Sequence, residues 1–152
     1  MNNKKSGNAG EDITAQVLGA RGVDMLVKIH TPYKIIGEPI FRKGKKYYPI
    51  VFSEKAEGDR RGVLNGLSVL AEVKTVSGNL RYSELKPHQH ELLTYHHAVG
   101  GISLLVWVSE QGVFVMDWAE LKDVFLPRTS ISIEDAKAFD VMDLKRHFDG
   151  CS

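Results

Sequence analysis

A chain of 152 residues with 43% apolar and 26% charged residues is long enough for a real core and has the make-up of a globular, water-soluble domain. The lone cysteine, Cys151, excludes an intrachain disulfide and a cysteine-ligated zinc cluster, and points to a reducing, cytoplasmic setting. No apolar run approaches the ~20 residues that span a bilayer, and a net charge of only +1 does not by itself demand a polyanionic partner.

Residues 1–8 are polar, lack the apolar centre of a signal peptide, and read as a flexible arm. A helix is predicted from Asn8 or Gly10 through Arg21, with Ile13, Val17 and Leu18 on one face and Gly22 as its stop. Residues 25–30 alternate like a strand. Residues 33–40 and 47–52 read as the arms of a hairpin around a Lys/Gly turn, and Pro39 and Pro49 confine it to an edge or a projection. A charged connector, residues 53–58, leads into the most informative segment. There Asn65-Gly66 separates two apolar-rich runs, a strong signal for a two-residue hairpin over residues 59–74.

Beyond it, Ser77-Gly78-Asn79 makes a loop, and Pro87 opens a helix that Gly100-Gly101 ends. Residues 102–108 are almost wholly apolar, as in a strand buried on both faces. Gln111-Gly112 turns into a strand over residues 113–116. Residues 118–125 and 133–148 read as helices separated by Leu126-Pro127. The order predicts one α/β domain: a central mixed sheet flanked by helices, with residues 37–54 projecting as a β-hairpin stalk.

Charge is unevenly spread. Lys34, Arg42, Lys43, Lys45 and Lys46 face a single acid, Glu38, whereas from Asp117 onward eight acids oppose five bases. A basic middle and an acidic tail suit a polyanion met by one face, and Tyr47-Tyr48 could stack on bases while the lysines contact phosphates. A solvated basic turn is the plainer reading of the same run.

The hairpin brings Asp59 near Glu72 and Lys74. Those two stand two apart and so share a face, while Val69, Ala71 and Val73 take the other face and pack on the core. Two carboxylates beside an ammonium suit a Mg²⁺-assisted attack on a phosphodiester. An exposed cross-strand ion pair fits the same spacing. The residues alone leave both readings open. His88, His90, His96 and His97 lack the spacing of a helical zinc site and read as solvated or DNA-contacting side chains, and Trp107 and Trp118 read as core or interface rings.

The element order with Asp-x12-Glu-x-Lys resembles the PD-(D/E)XK nuclease superfamily, with Gly58 in place of the proline before the first acid. More narrowly, the chain resembles the RecU-type Holliday junction resolvases of Gram-positive bacteria and their phages. The resemblance rests on Gly7-Asn8-Ala9-Gly10-Glu11-Asp12, Thr31-Pro32, the stalk segment, Asp59-x-x-Gly62-x-x-x-Gly66, Glu72-Val73-Lys74, His88-Gln89-His90 and Gly100-Gly101 in that order. Glu57 stands where the family has a metal-binding threonine, and the stretch from Lys74 to Gln89 is two residues shorter, marks of a diverged, phage-type member.

The resemblance implies a restriction-endonuclease-like core and a Mg²⁺-dependent endonuclease, with Mn²⁺ as a substitute. Its implied metal ligands are Asp59 and Glu72, with Glu57 and Gln89 as further members of the metal site. Lys74 positions or activates the attacking water, Gln89 orients it, and Glu11 approaches from the first helix. Lys34, Arg42, Lys43, Lys45 and Lys46 on the stalk, with Arg60 and Arg61, would contact the DNA. The implied partners are a four-way DNA junction and a second copy of the chain, with no membrane. Another PD-(D/E)XK endonuclease, or a DNA-binding protein that does not cut, are the alternatives.

Overall fold

The computed structural model describes residues 13–28, 33–35, 37–47, 49–52 and 60–150. Its centre is a five-stranded sheet in the order β1 (Asp24–Lys28), β6 (Arg60–Leu64), β7 (Leu67–Thr75), β9 (Ile102–Ser109), β10 (Gly112–Asp117). Only β7 and β9 run parallel, which requires a crossover connection. That connection carries the helix α2 (Pro87–Ala98). The restriction-endonuclease-like arrangement of a mixed sheet flanked by helices is the one the element order predicts.

Because β7 and β9 sit in the middle, both of their faces are covered. Val69, Ala71, Val73, Leu104 and Val106 pack with Leu18 of the first helix (residues 13–20, α1) and with Leu144 and Phe148 near the C-terminus. Leu70, Leu105 and Trp107 point the other way, into a second core with Leu93 of α2 and with Trp118, Leu121 and Phe125. Both tryptophans are core rings, as expected. On α1 the buried positions are Thr14 and Leu18, with Val17 partly covered, whereas Ile13 is exposed. The inward face is thus rotated by one residue from the purely apolar one.

Two hairpins turn on residues with positive φ at both central positions, as a two-residue loop matching strand twist needs. Asn65 and Gly66 have φ of 51° and 78° between β6 and β7, and Lys43 and Gly44 have 50° and 73°. The second turn joins β3 (Ile40–Arg42) to β4 (Lys45–Tyr47), every residue of which is exposed. Where one continuous hairpin was expected, β2 (Tyr33–Ile35) pairs separately with β5 (Ile50–Phe52). Gly37, with φ of 71°, and the two prolines interrupt the ladder between the two pairs.

The C-terminal third departs most from expectation. Helix α3 (Trp118–Arg128) runs through Leu126-Pro127 and stops at Thr129, which adopts φ of 64°. Pro127 thus stands in the last turn of the helix rather than ending it beforehand. Residues Ser130–Ile131 (β11) then pair with Leu80–Arg81 (β8), a small sheet too short to leave a periodic signal. The single helix expected over 133–148 is two: α4 (Ile133–Phe139) and α5 (Leu144–His147). The chain leaves the helix at Asp140 because that carboxylate is drawn to Arg21 at 2.6 Å and to the Val115 amide at 2.8 Å. Asp143 then caps α5 by accepting from the Arg146 amide. In α4, Asp135 accepts from the Ser132 amide and from Arg128, which holds its carboxyl below the ordinary carboxylate range.

Helix α2 buries only Gln89 and Leu93, so polar ties to the sheet and to α3 help hold it in place. Ser103 donates to the Leu93 carbonyl at 2.6 Å, Trp118 Nε1 donates to Thr94 at 3.0 Å, and His96 lies 3.0 Å from the Ser68 carbonyl. Gly101 makes room for the last of these, since a Cβ there would stand 2.3 Å from His96 Nε2. Gly101→Ala should expel the imidazole and lower stability by about 1–3 kcal/mol, checked by urea unfolding.

Candidate active site

Glu72 and Lys74 leave β7 on the face covered by α2, beside Leu105 and Trp107 of β9, their strand partners. Both are almost fully buried, at 3% and 7% exposure. Lys74 Nζ lies 3.8 Å from Glu72 Oε1. Gln89, at 5% exposure, approaches from the first turn of α2 and donates its Nε2 to the same Glu72 oxygen at 3.0 Å. Its own Oε1 accepts from the Lys86 amide at 2.8 Å, so that end of the side chain caps the helix. The two contacts orient the amide and fix the Glu72 carboxylate against Lys74.

Burial sets this pair apart from an exposed cross-strand ion pair. An exposed ion pair contributes little and costs little. A buried one carries a desolvation penalty that its attraction rarely exceeds, and apolar residues of similar size would stabilise the core as well or better. An acid, a lysine and a glutamine converging inside an otherwise apolar layer are therefore the candidate site of this fold. Among the described residues its oxygen donor is the Glu72 carboxylate, with an ammonium alongside and without sulfur or imidazole. Such a set fits a hard, oxygen-seeking divalent cation.

Of the other residues singled out in the sequence, Glu11, Glu57 and Asp59 lie outside the described residues. Arg60 and Arg61 open β6, with Ala71 and Leu70 as strand partners, which sets Arg60 across from the residue preceding Glu72. Arg42, Lys43, Lys45 and Lys46 are all exposed on the β3–β4 hairpin, with Ile40, Phe41 and Tyr47 exposed among them. The backbone of Lys34 is in β2. The four histidines of α2 form no group with metal-ligand spacing among the described residues; His90 packs against the Tyr82 ring at 5.2 Å. Burial, with Glu91 adding its charge, pushes the Tyr82 hydroxyl above its ordinary range.

One group of ligand-type side chains has no counterpart in the sequence reading. Asp117, Glu120 and His147 place their donor atoms within 4.8 Å of one another. His147 is 27 residues from Glu120 along the chain, and only the break between α4 and α5 turns it back, so no local spacing announces the group.

A mixed sheet whose central strand carries an acid-x-lysine pair under a crossover helix is the restriction-endonuclease-like core. The chain belongs to the recombination protein U (RecU) family, a family of Holliday junction resolvases, whose profile matches residues 12–148. No individual curated protein matches it. No described helix is long and apolar enough to cross a membrane.

Proposed function

We propose that this protein is a Mg²⁺-dependent endonuclease of the PD-(D/E)XK type that resolves four-way DNA junctions with paired symmetric nicks, acting as a cytoplasmic homodimer. The observation that carries the reading is the buried Glu72–Lys74–Gln89 constellation in a chain of the RecU family. Asp59, one residue before the strand partner of Ala71, would supply the second carboxylate. Glu57, Glu11 and the main-chain carbonyl of Val73 would complete the surroundings of the cation. When bound, Mg²⁺ supplies charge stabilisation at the phosphate. As the ammonium, Lys74 holds the attacking water and offsets charge on the phosphorane; to act as the base it would first give up its own proton, which desolvation favours. Gln89 fixes the rotamer of Glu72, so the acid meets its cation without reorganising. Residues 1–152 form one nuclease domain, with 1–8 as a polar arm and 37–54 as a stalk that enters the junction.

The test is cleavage of a synthetic four-way junction beside linear duplex, with wild type and Asp59→Asn. Paired nicks on the junction alone, lost in the variant, support the proposal. Cutting of linear duplex would indicate a different nuclease, and binding without cutting under any divalent metal would indicate a DNA-binding protein. Arg42, Lys43, Lys45 and Lys46 should act on binding instead. Replacing all four with alanine should weaken junction affinity and reduce the slope of log K against log salt by up to about 3.6, at roughly 0.9 per phosphate contact. Filter binding over a salt series reads this directly.

A further inference from the structure

Asp117 closes β10 and caps α3, where one carboxylate oxygen accepts from the Ala119 amide at 3.1 Å. Its other oxygen lies 3.1 Å from His147 Nε2. Glu120, in the first turn of α3, brings a carboxylate oxygen to 3.4 Å from the same nitrogen. The His147 ring is braced edge-on against Phe148, with ring centroids 4.7 Å apart. Glu120 and His147 also line an open cavity of about 490 Å³ with Asp140, Asp143 and Arg146, so solvent reaches one side of the group.

We infer that Asp117, Glu120 and His147 form a second divalent-metal site that clips the C-terminal helix α5 to α3. A single imidazole N–H donates well to only one carboxylate, yet two converge on this nitrogen. A cation between them satisfies all three donors and removes the repulsion between the acids. The other acids of the cavity are committed elsewhere. Asp140 is engaged by Arg21 and the Val115 amide, and Asp143 accepts from the Arg146 amide. Arg146 is the cationic residue lining the cavity.

The donor set names the class of ion. One nitrogen and two carboxylate oxygens suit zinc and its transition-metal neighbours, whereas Mg²⁺ keeps to oxygen. Tetrahedral ligands at zinc bond lengths stand about 3.3 Å apart. The two separations from His147 Nε2, 3.1 Å and 3.4 Å, bracket that spacing, and the two carboxylate oxygens lie within 4.8 Å of each other. The remaining position opens toward the cavity and would take water. A four-residue helix such as α5 has no stability of its own, so a clip at its last residue gains most of its effect by ordering that segment. The site shares no residue with Glu72, Lys74 and Gln89 and does not rest on the nuclease reading.

The experiment uses the full chain, stripped with chelator and held in excess Mg²⁺ so that oxygen-only sites are occupied. Co²⁺ is titrated by visible absorption and Zn²⁺ by calorimetry, with thermal melting alongside. Wild type and Glu72→Gln should both bind one ion at this site and melt higher with Zn²⁺. His147→Gln should lose that ion by roughly 100-fold or more in affinity, and Glu120→Gln, at an exposed position, should weaken it measurably. If His147→Gln binds Zn²⁺ as wild type does, or wild type binds neither ion, the site does not exist. Loss in His147→Gln without any change in Glu120→Gln also overturns the three-ligand site.

Discussion

Glu72→Gln is expected to lower junction cleavage by on the order of 10³-fold, since a lost metal-binding carboxylate removes several kcal/mol of transition-state stabilisation. The amide keeps the shape of the side chain and can still meet Gln89, so the change is one of charge. Stability should fall as well, because the buried Lys74 ammonium loses the counter-charge 3.8 Å away. A second variant separates the two effects. Replacing the pair together, with Glu72→Leu and Lys74→Met, removes both buried charges and should restore wild-type stability or exceed it by about 1–4 kcal/mol. Cleavage should stay absent. Single-turnover cleavage below the melting temperature, with urea unfolding of each variant, makes the comparison. A double variant as unstable as either single would show that the pair is held for the fold rather than for chemistry.

Much of the frame is legible in the chain because it is written in local rules. Asn65-Gly66 specifies a turn that needs positive φ twice and fixes the register that sets Arg60 opposite Ala71, while the two-residue spacing of Glu72 and Lys74 puts them on one face. The unbroken apolar stretch of β9 announces a strand buried on both sides. Pro87 and Gly100-Gly101 bound α2 almost to the residue. What periodicity could not show was burial of the charged pair, since an acid and a lysine at that spacing look the same on an exposed strand. The burial comes from α2 folding back over β7, and Gln89 reaches Glu72 across 17 positions of chain. The Asp117–Glu120–His147 group is invisible for the same reason. Each member obeys an ordinary local preference, and the long-range turn at Asp140 alone brings the histidine to the acids.

That turn also carries the largest expected loss of stability outside the site. Asp140→Ala should cost about 3–5 kcal/mol, the range for removing one partner of a buried ion pair. One carboxylate oxygen accepts from Arg21 at 2.6 Å and from the Val115 amide at 2.8 Å, and both side chains of the pair are mostly covered, at 12% and 16% exposure. Without it Arg21 retains, among the described residues, the Val141 carbonyl at 3.0 Å, and the Val115 amide loses its side-chain acceptor. The melting temperature should fall by roughly 6–20 °C at the 2–4 °C per kcal/mol usual for a chain of this size. The competing preference is helical: residues 133–148 pattern as one helix, and alanine at position 140 favours joining α4 to α5. If they joined, His147 would leave Asp117 and Glu120. The variant should therefore lose the Zn²⁺-dependent rise in melting temperature along with its intrinsic stability. Calorimetric melts with and without Zn²⁺ measure both, and Arg21→Met paired with Asp140→Leu should recover part of the intrinsic stability, because it removes the stranded charge.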